Sequence, residues 1–319
     1  MTKAFITGID GQDGSFLTEL LLSKGYEVHG LIRRNVNPTV NINHLIDKIH
    51  IHYGDLANEN RLNIILAEIK PDEIYNLAGQ SDVRVSFDIP EYTGDITGLG
   101  VTRLLEAARY FSPKSRIYQA SSSEMFGNNP PPQNEETLLK ARSPYGAAKI
   151  YAHNMSVNYR ESYDMFICCG ILFNHESERR GLNFVTRKIS NAAALIKLGK
   201  LDELRLGNMI SCRDWGYAPD YVEAMWLMLQ ADVPQDYVIG TGESHTVMDF
   251  TRVAFEYLNL DWQDYVLSNT PQDMRPSEVN MLLADYSKAE NILNWKPKTT
   301  FNNLVKIMVD NDIKLNKEI

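Results

Sequence analysis

The segment "SPYGAAK" places Tyr145 four residues ahead of Lys149. On a helix these positions share a face, so the phenol and the ammonium project the same way. A nearby ammonium favours the phenolate, which predicts a Tyr145 pKa below its ordinary value of ~10 and a base usable near neutral pH. Pro144 suits a helix start and fixes the tyrosine in the first turn. Upstream, "ASSSEMFG" (Ala120–Gly127) ends a predicted strand. The hydroxyls of Ser121–Ser123 there can hydrogen-bond a substrate oxygen and the phenol. Glu124 adds a carboxylate that can remove a proton from carbon and return it to a leaving hydroxyl.

A second constellation lies near the start. "TGIDGQDG" spaces Gly8, Gly11 and Gly14 three residues apart after the apolar run "KAFIT". Glycine in a helix interior costs roughly 0.5–1 kcal/mol relative to alanine, so three of them imply a need for bare backbone. Between a strand and a helix they permit a tight turn, approach of a pyrophosphate to backbone N–H groups, and close helix–sheet packing. About 20 residues on, a site for NAD usually carries Asp or Glu for the ribose 2′-OH. Here "GLIRRNVN" supplies Arg33 and Arg34 instead. A guanidinium can grip a 2′-phosphate that a carboxylate would repel, which predicts NADP.

The elements that position these groups alternate. "KAFIT", "EVHGLI", "IHIHYGD", "DEIYNLAG" and "RIYQASSS" read as five strands. "GSFLTELLLSKGY", "LNIILAEIK" and "GVTRLLEAARYF" read as the helices between them. Such β-α alternation implies an α/β fold, a doubly wound parallel (Rossmann) sheet covered on both faces, with ligands at the carboxyl ends of its strands. We expect an NADP-binding domain over 1–172, with returning segments near 210–230 such as Tyr221–Gln230. A smaller mixed α/β domain over 173–319 is expected to bind substrate.

Bulk properties narrow the function classes. The chain has 319 residues, 44% hydrophobic and 23% charged, with a net charge of −9 and no block of Lys or Arg, which argues against nucleic acid or an anionic membrane as main partner. Cys168, Cys169 and Cys212 are too few for a disulfide framework, and no apolar run approaches the roughly 20 residues of a membrane span. With no signal-peptide pattern at "MTKAFITG", a cytoplasmic protein is expected. His50 and His52 alternate along a strand with no Cys or carboxylate cluster expected nearby, so no metal site is predicted. Cys168 and Cys169 read as core.

Taken together, the glycines, the Ser-rich strand end and the Tyr145/Lys149 pair resemble the extended short-chain dehydrogenase/reductases that act on nucleotide sugars. "EIYNLAGQSDVRVSF", "YQASSSEMFG", "GILFNHES", "NFVTRKI", "RDWGYAPDYVEAMWLMLQ" and "WKPKT" resemble the GDP-mannose 4,6-dehydratase family, over nearly the whole chain. The resemblance implies a redox-neutral elimination. Tyr145, helped by Lys149 and Ser122, takes the C4 hydroxyl proton as hydride leaves C4 for NADP. Glu124 removes the C5 proton and assists loss of the C6 hydroxyl, and the same hydride returns to C6. The product is GDP-4-dehydro-6-deoxy-D-mannose, and the protein is expected to be a homodimer or homotetramer.

By the same resemblance, Gly8, Gly11, Gln12, Asp13, Gly14, Arg33, Arg34, Asp55, Leu56, Leu77, Gln80, Ser81, Tyr92, Tyr145, Lys149, His175 and Arg180 are expected at the cofactor. Ser81, Ser122, Glu124, Tyr145, Asn174, Asn183, Lys188, Arg213, Arg275 and Glu278 are expected at the GDP-sugar. The chain departs from the family pattern in places. Ser122 stands where Thr is usual, Gly79 for Ala, and Glu178 for Pro. "RRNVNPTVNINHL" replaces a Ser-rich loop, and Ile210, Ser211 and Cys212 replace a "DAK"-like run that ends in a lysine near the substrate. Another GDP-sugar, such as a GDP-manno-heptose, therefore stays open, as does an epimerase, reductase or decarboxylase of nucleotide sugars.

Overall fold

The computed structural model describes residues 1–33, 40–268 and 276–317. Arg34 and Arg275 fall outside the described residues. The first half runs β1 (Lys3–Thr7), α1 (Gln12–Ser23), β2 (Glu27–Ile32), β3 (His50–Tyr53), α2 (Glu59–Ile69), β4 (Glu73–Asn76), α3 (Val83–Ser86), α4 (Pro90–Thr93), α5 (Gly100–Phe111), β5 (Arg116–Ser122), α6 (Pro144–Tyr163) and β6 (Ile167–Leu172). The second runs β7 (Asn174–Glu176), α7 (Val185–Lys197), β8 (Leu204–Arg205), β9 (Cys212–Arg213), β10 (Trp215–Tyr217), α8 (Ala218–Gln230), β11 (Asp236–Ile239), β12 (His245–Thr246), α9 (Val247–Tyr257), β13 (Val266–Leu267), α10 (Ser287–Leu293) and α11 (Phe301–Lys317).

Seven parallel strands form one sheet in the order β11-β6-β5-β4-β1-β2-β3. Successive strand residues face opposite sides. Ile6 and Tyr75 join a core with Phe16, Leu17 and Leu21 of α1 and with Met225 and Met228 of α8. Phe5 and Ile74 point the other way, into a core with Leu62, Leu66, Leu104 and Leu105 from α2 and α5. Cys168 and Cys169 are buried within β6. The chain order reverses between β1 and β4, and a cleft opens there at the carboxyl ends of the strands, as doubly wound sheets dictate.

The glycine-rich turn explains its own composition. Gly8 has φ +69°, a region that side chains disfavour. A Cβ on Gly14 would lie 2.6 Å from Ile9 Cα and closer still to the Gly8 carbonyl, so α1 packs on the turn only with glycine there. The helix begins at Gln12, two residues before the expected start, which puts Gln12, Asp13 and Gly14 in its first turn with Gly11 as the capping residue. The end of β1 is pinned to β4: Thr7 Oγ1 donates to Asn76 Oδ1 at 2.6 Å and accepts from the Leu77 and Ala78 amides.

The second half divides its elements between two places. α8 packs on α1, and β11 pairs with β6 at the edge of the large sheet. Helices α7, α9 and α11 build a separate core around Phe250, Phe255, Leu304 and Met308. The two-stranded ladders β7–β10 and β9–β12 connect this core to the cleft. No helix among the described residues is long and apolar enough to cross a membrane.

Candidate active site

One cleft of about 640 Å³ runs from the glycine turn across the strand ends to the second core. Its lining contains every described residue singled out from the sequence as a candidate. They arrive from separate elements. Gly8, Gly11, Gln12, Asp13 and Gly14 come from the β1–α1 turn, Arg33 from the end of β2, and Asp55 and Leu56 from the segment after β3. Leu77, Gln80 and Ser81 follow β4, and Tyr92 sits on α4. Asn174, His175, Arg180, Asn183 and Lys188 span β7 to α7, and Arg213 and Glu278 close the far end.

The groups expected to react sit where β5 meets α6. Ser122 ends β5, and its Oγ accepts the Glu124 amide at 3.2 Å, which holds the one-turn helix Ser123–Met125. Ser143 caps α6 by accepting the Gly146 amide at 3.0 Å, and Pro144 occupies the first helical position. A Cβ on Gly146 would lie 2.9 Å from the Glu124 carbonyl, so the start of α6 lies directly against residue 124. Ser122, Glu124, Tyr145 and Lys149 are all more than nine-tenths buried.

Lys149 Nζ donates to the Ala120 carbonyl at 2.6 Å and lies 5.7 Å from the Tyr145 ring centre. Burial pushes the Lys149 pKa down to about 8. The Tyr145 pKa moves opposite to expectation, up to about 12. Burial is the main cause and the Glu124 carboxylate adds to it, while the Ser122 hydroxyl and Arg180 oppose it. The i, i+4 spacing correctly places the pair on one face. In the buried cleft, desolvation of the phenolate outweighs the hydrogen bond from Ser122 and the charge of Arg180.

Around the glycine turn the charges are arranged in pairs. His175 Nε2 lies 2.8 Å from Asp13 Oδ2, and its Nδ1 lies 2.8 Å from the Phe173 carbonyl. Both ring nitrogens face acceptors, the arrangement that suits an imidazolium. Burial works against both charges. The pairing nonetheless raises the His175 pKa and, with Arg180, lowers that of Asp13. Gln12 bridges the same strand, donating to the His175 carbonyl at 3.1 Å and accepting from Ser177 Oγ at 2.8 Å. The Asp13 carboxylate is thereby neutralised, and the α1 N-terminus keeps its positive end for an anion.

At the rim, exposed Arg33 donates to the Tyr92 hydroxyl at 2.5 Å, joining two candidate cofactor residues. At the far end, buried Arg213 donates to Glu278 at 2.8 Å and to the Val279 carbonyl at 2.8 Å. Asn183 Nδ2 donates to Asp82 Oδ2 at 2.7 Å, closing the cleft from α7's side toward α3.

The sequence comparisons fit this geometry. A sequence model of the family described as GDP-mannose 4,6 dehydratase matches residues 5–308. The chain belongs to that family. It is 55% identical to GDP-mannose 4,6 dehydratase 2 of Arabidopsis thaliana, over 98% of this chain and 87% of the relative. It is 48% identical to the GDP-mannose 4,6 dehydratase of Homo sapiens, over 98% of this chain and 91% of the relative. Solved structures share the fold at low identity. The UDP-glucose 4-epimerase of Thermus thermophilus, in complex with NAD, has a TM-score of 0.86 at 23% identity and covers 98% of this chain and 99% of its own. The dTDP-glucose 4,6-dehydratase of Bacillus anthracis str. Ames, also with NAD, has a TM-score of 0.85 at 20% identity, over 100% and 98%.

Two cleft residues of this dehydratase-family chain, Glu176 and Asp82, are absent from the candidates named from the sequence. Glu176 accepts from Thr186 Oγ1 at 2.6 Å and lies 3.0 Å from Arg180 Nε, and so orients that arginine. Asp82 holds Asn183 and caps α3. The Asp before "VRVS" is a capping signal and was readable; Glu176 carries no local signal, because Thr186 lies ten residues away. Near the strand histidines, where no Cys or carboxylate cluster is expected, a carboxylate does lie. Pairing of β2 with β3 sets Glu27 and His29 beside His50.

Proposed function

We propose that this chain dehydrates GDP-D-mannose to GDP-4-dehydro-6-deoxy-D-mannose, with NADP held in the cleft. The observation that carries the proposal is the burial of Glu124 in the same cleft wall as Ser122, Tyr145 and Lys149. A phenol–ammonium pair serves oxidation of a carbinol, and the added carboxylate serves a separate proton transfer at carbon.

The cleft suits a dinucleotide. Gly11 puts no side chain over the first turn of α1, the N-terminus of that helix offers a site for the pyrophosphate, and Arg33 stands at the ribose end with Tyr92. Gly8, Gln12, Asp13, Gly14, Asp55, Leu56, Leu77, Gln80, Ser81, His175 and Arg180 complete the lining we assign to the cofactor. A bound nicotinamide dinucleotide supplies the acceptor for the C4 hydride and the donor for C6.

The chain's own residues perform the proton transfers. The positive charge that an oxidised nicotinamide would bring favours the Tyr145 phenolate against the burial that pushes its pKa up to about 12, and the phenolate takes the C4 hydroxyl proton, with Ser122 sharing the hydrogen bond. Lys149 fixes the local charge from its seat on the Ala120 carbonyl. Once C4 is a ketone, the C5–H bond is acidic. Glu124 takes that proton and hands it to the C6 hydroxyl, which leaves as water; when hydride returns to C6, C5 takes up the proton that Tyr145 carries, and the phenolate is restored. Asn174, Asn183, Lys188, Arg213 and Glu278 form the sugar-nucleotide end, Arg and Lys facing the diphosphate and Glu278 accepting from guanine N–H groups.

We read residues 1–172, with α8 and its neighbours returning, as the cofactor unit and 173–319 as the substrate unit. A homodimer or homotetramer is our reading of the exposed Tyr110, Tyr151 and Tyr163 along α5 and α6.

The test is incubation with GDP-mannose, followed by mass spectrometry and by the absorbance of reduced nicotinamide. A product lighter by one water, with no net change in reduced cofactor, is expected. Consumption of added NADPH or release of CO2 would instead indicate a reductase or a decarboxylase. Failure with both GDP-mannose and a GDP-manno-heptose would reject the proposal.

A further inference from the structure

Away from the cleft, four ligand-type side chains share one face of the β2–β3 ladder. Glu27 and His29 are two residues apart on β2, as are His50 and His52 on β3, so each pair projects from the same side of its strand. The register sets His29 against His50. Their rings stack with centres 4.7 Å apart, and the His29 and His52 rings stack at 5.3 Å. Ligand atoms of Glu27, His29 and His50 all lie within 4.8 Å of one another.

We propose that Glu27, His29 and His50 form a site for a divalent transition metal of the Zn²⁺ or Ni²⁺ class on this outer end of the sheet. Imidazole with carboxylate suits these ions and not Mg²⁺, which prefers an all-oxygen shell. The hydrogen bonds around His29 fit the same assignment. Its Nε2 lies 2.9 Å from Glu27 Oε1, and its Nδ1 lies 3.0 Å from His52 Nε2. With a metal on Nε2, Nδ1–H donates to His52 Nε2, and that outer partner fixes the tautomer and the ring plane. His52 is thus an orienting residue and not a ligand.

Other charges face the site. Lys3 Nζ lies 3.7 Å from Glu27 Oε1 and must swing away as a cation enters; Arg61 and Glu68 act on His52 with opposite signs. His50 is exposed, which gives the ion an entry path. A second cluster among the described residues, His153, Cys169 and Asp236, is a weaker candidate. Arg160 already grips Asp236 with two hydrogen bonds, and Ser121 occupies His153 Nδ1.

The two clusters separate in one experiment. The full chain, stripped with chelator, is titrated calorimetrically with Zn²⁺, and separately with Co²⁺ while its absorption spectrum is recorded. One equivalent of Zn²⁺ is expected, bound at least tenfold more weakly in Glu27→Gln and in His50→Ala, with melting temperature raised by Zn²⁺ in the parent chain only. Excess Mg²⁺ should not compete. A Co²⁺ spectrum free of thiolate charge-transfer absorption is expected. Unchanged Zn²⁺ affinity in both variants, or a thiolate band assigning the ion to Cys169, would overturn the proposal. Neither variant touches the cleft, so dehydration by both is expected to match the parent.

Discussion

His175 Nε2 sits 2.8 Å from Asp13 Oδ2, and this contact joins β7 to the first turn of α1. It is one of several stitches there. Arg179 donates to Ser15 Oγ at 3.0 Å and to Glu19 at 2.6 Å, and Ser177 donates to Gln12. The chain that leaves β6 is thereby fastened to the glycine turn, and the cleft has a rigid floor. The His175–Asp13 pair has a defined pH signature. The raised His175 pKa means its stabilisation is full below the unfolded value of 6.5 and is lost as pH rises through the folded value. The lowered Asp13 pKa means its share is full above the unfolded value of 3.8 and is lost as pH falls through the folded value. Asp13→Asn should therefore cost most between those limits, by about 3 kcal/mol, since it strands a buried imidazolium that then sheds its proton. NMR titration of His175 checks this: its midpoint lies above 6.5 in the parent chain and is expected to fall below it in the variant.

Glu124 should be separable from Tyr145. Glu124→Gln keeps the size and the buried seat but cannot carry a proton from C5 to the C6 hydroxyl. Dehydration is expected to drop by about 10²–10⁴-fold, the usual worth of a positioned general acid–base group. Oxidation at C4 needs only the phenol, so reduced cofactor should accumulate when GDP-mannose is added. Removing the carboxylate also removes one cause of the raised Tyr145 pKa, so the acid limb of this half-reaction should move to lower pH. If GDP-mannose yields no reduced cofactor while the variant remains folded, the division of labour is wrong.

The parts of the fold that were legible in the sequence are those with local signatures. "KAFIT" and "EVHGLI" are short apolar runs stopped by glycine or charge, and both are strands over those very residues. β11 was not read as part of the large sheet. "DYVI" is as apolar as the others, but nothing local says that this strand should pair with β6, from which a whole second set of elements separates it in the chain. The small ladders of two and three residues are too short to show a period. At the site, residue types and spacing pointed to the glycine turn and to the Ser-rich strand end with Glu124, Tyr145 and Lys149, which sit at a strand end or in the first turns of a helix, while most of the other candidates came from the family resemblance. The direction of the Tyr145 pKa was not legible, since burial is set by packing from α6 and the 124 turn and not by the distance to Lys149 in sequence.

Arg33 supplies a test of cofactor choice. It is exposed at the end of β2 and tied to Tyr92. If its guanidinium meets a 2′-phosphate, Arg33→Asp replaces a bidentate donor with a like charge. Affinity for NADP should fall tenfold or more, while affinity for NAD is unchanged or improves. Binding of both dinucleotides can be followed by fluorescence or calorimetry. An equal loss for both would assign Arg33 to the adenosine in general and remove the basis for NADP.

Lys149 should be a residue that function keeps at the expense of stability. Its pKa of about 8 when folded, against 10.5 for the free side chain, means that the unfolded chain binds more protons between those values. Stability should therefore rise with pH from about 8 to 10.5, and below 8 the buried ammonium costs about 3 kcal/mol. Lys149→Met fills a similar volume without the charge. It also strands the Ala120 carbonyl, at a cost of about 1–3 kcal/mol. The net expectation at pH 7 is a variant more stable by about 1 kcal/mol and inactive in dehydration. Denaturant midpoints at pH 7 and pH 10 decide the matter. The advantage over the parent should shrink or reverse at the higher pH, where the parent's amine is neutral and still bound to the carbonyl. A variant less stable at pH 7, with no dependence of the difference on pH, would show that the ammonium is well solvated within the fold.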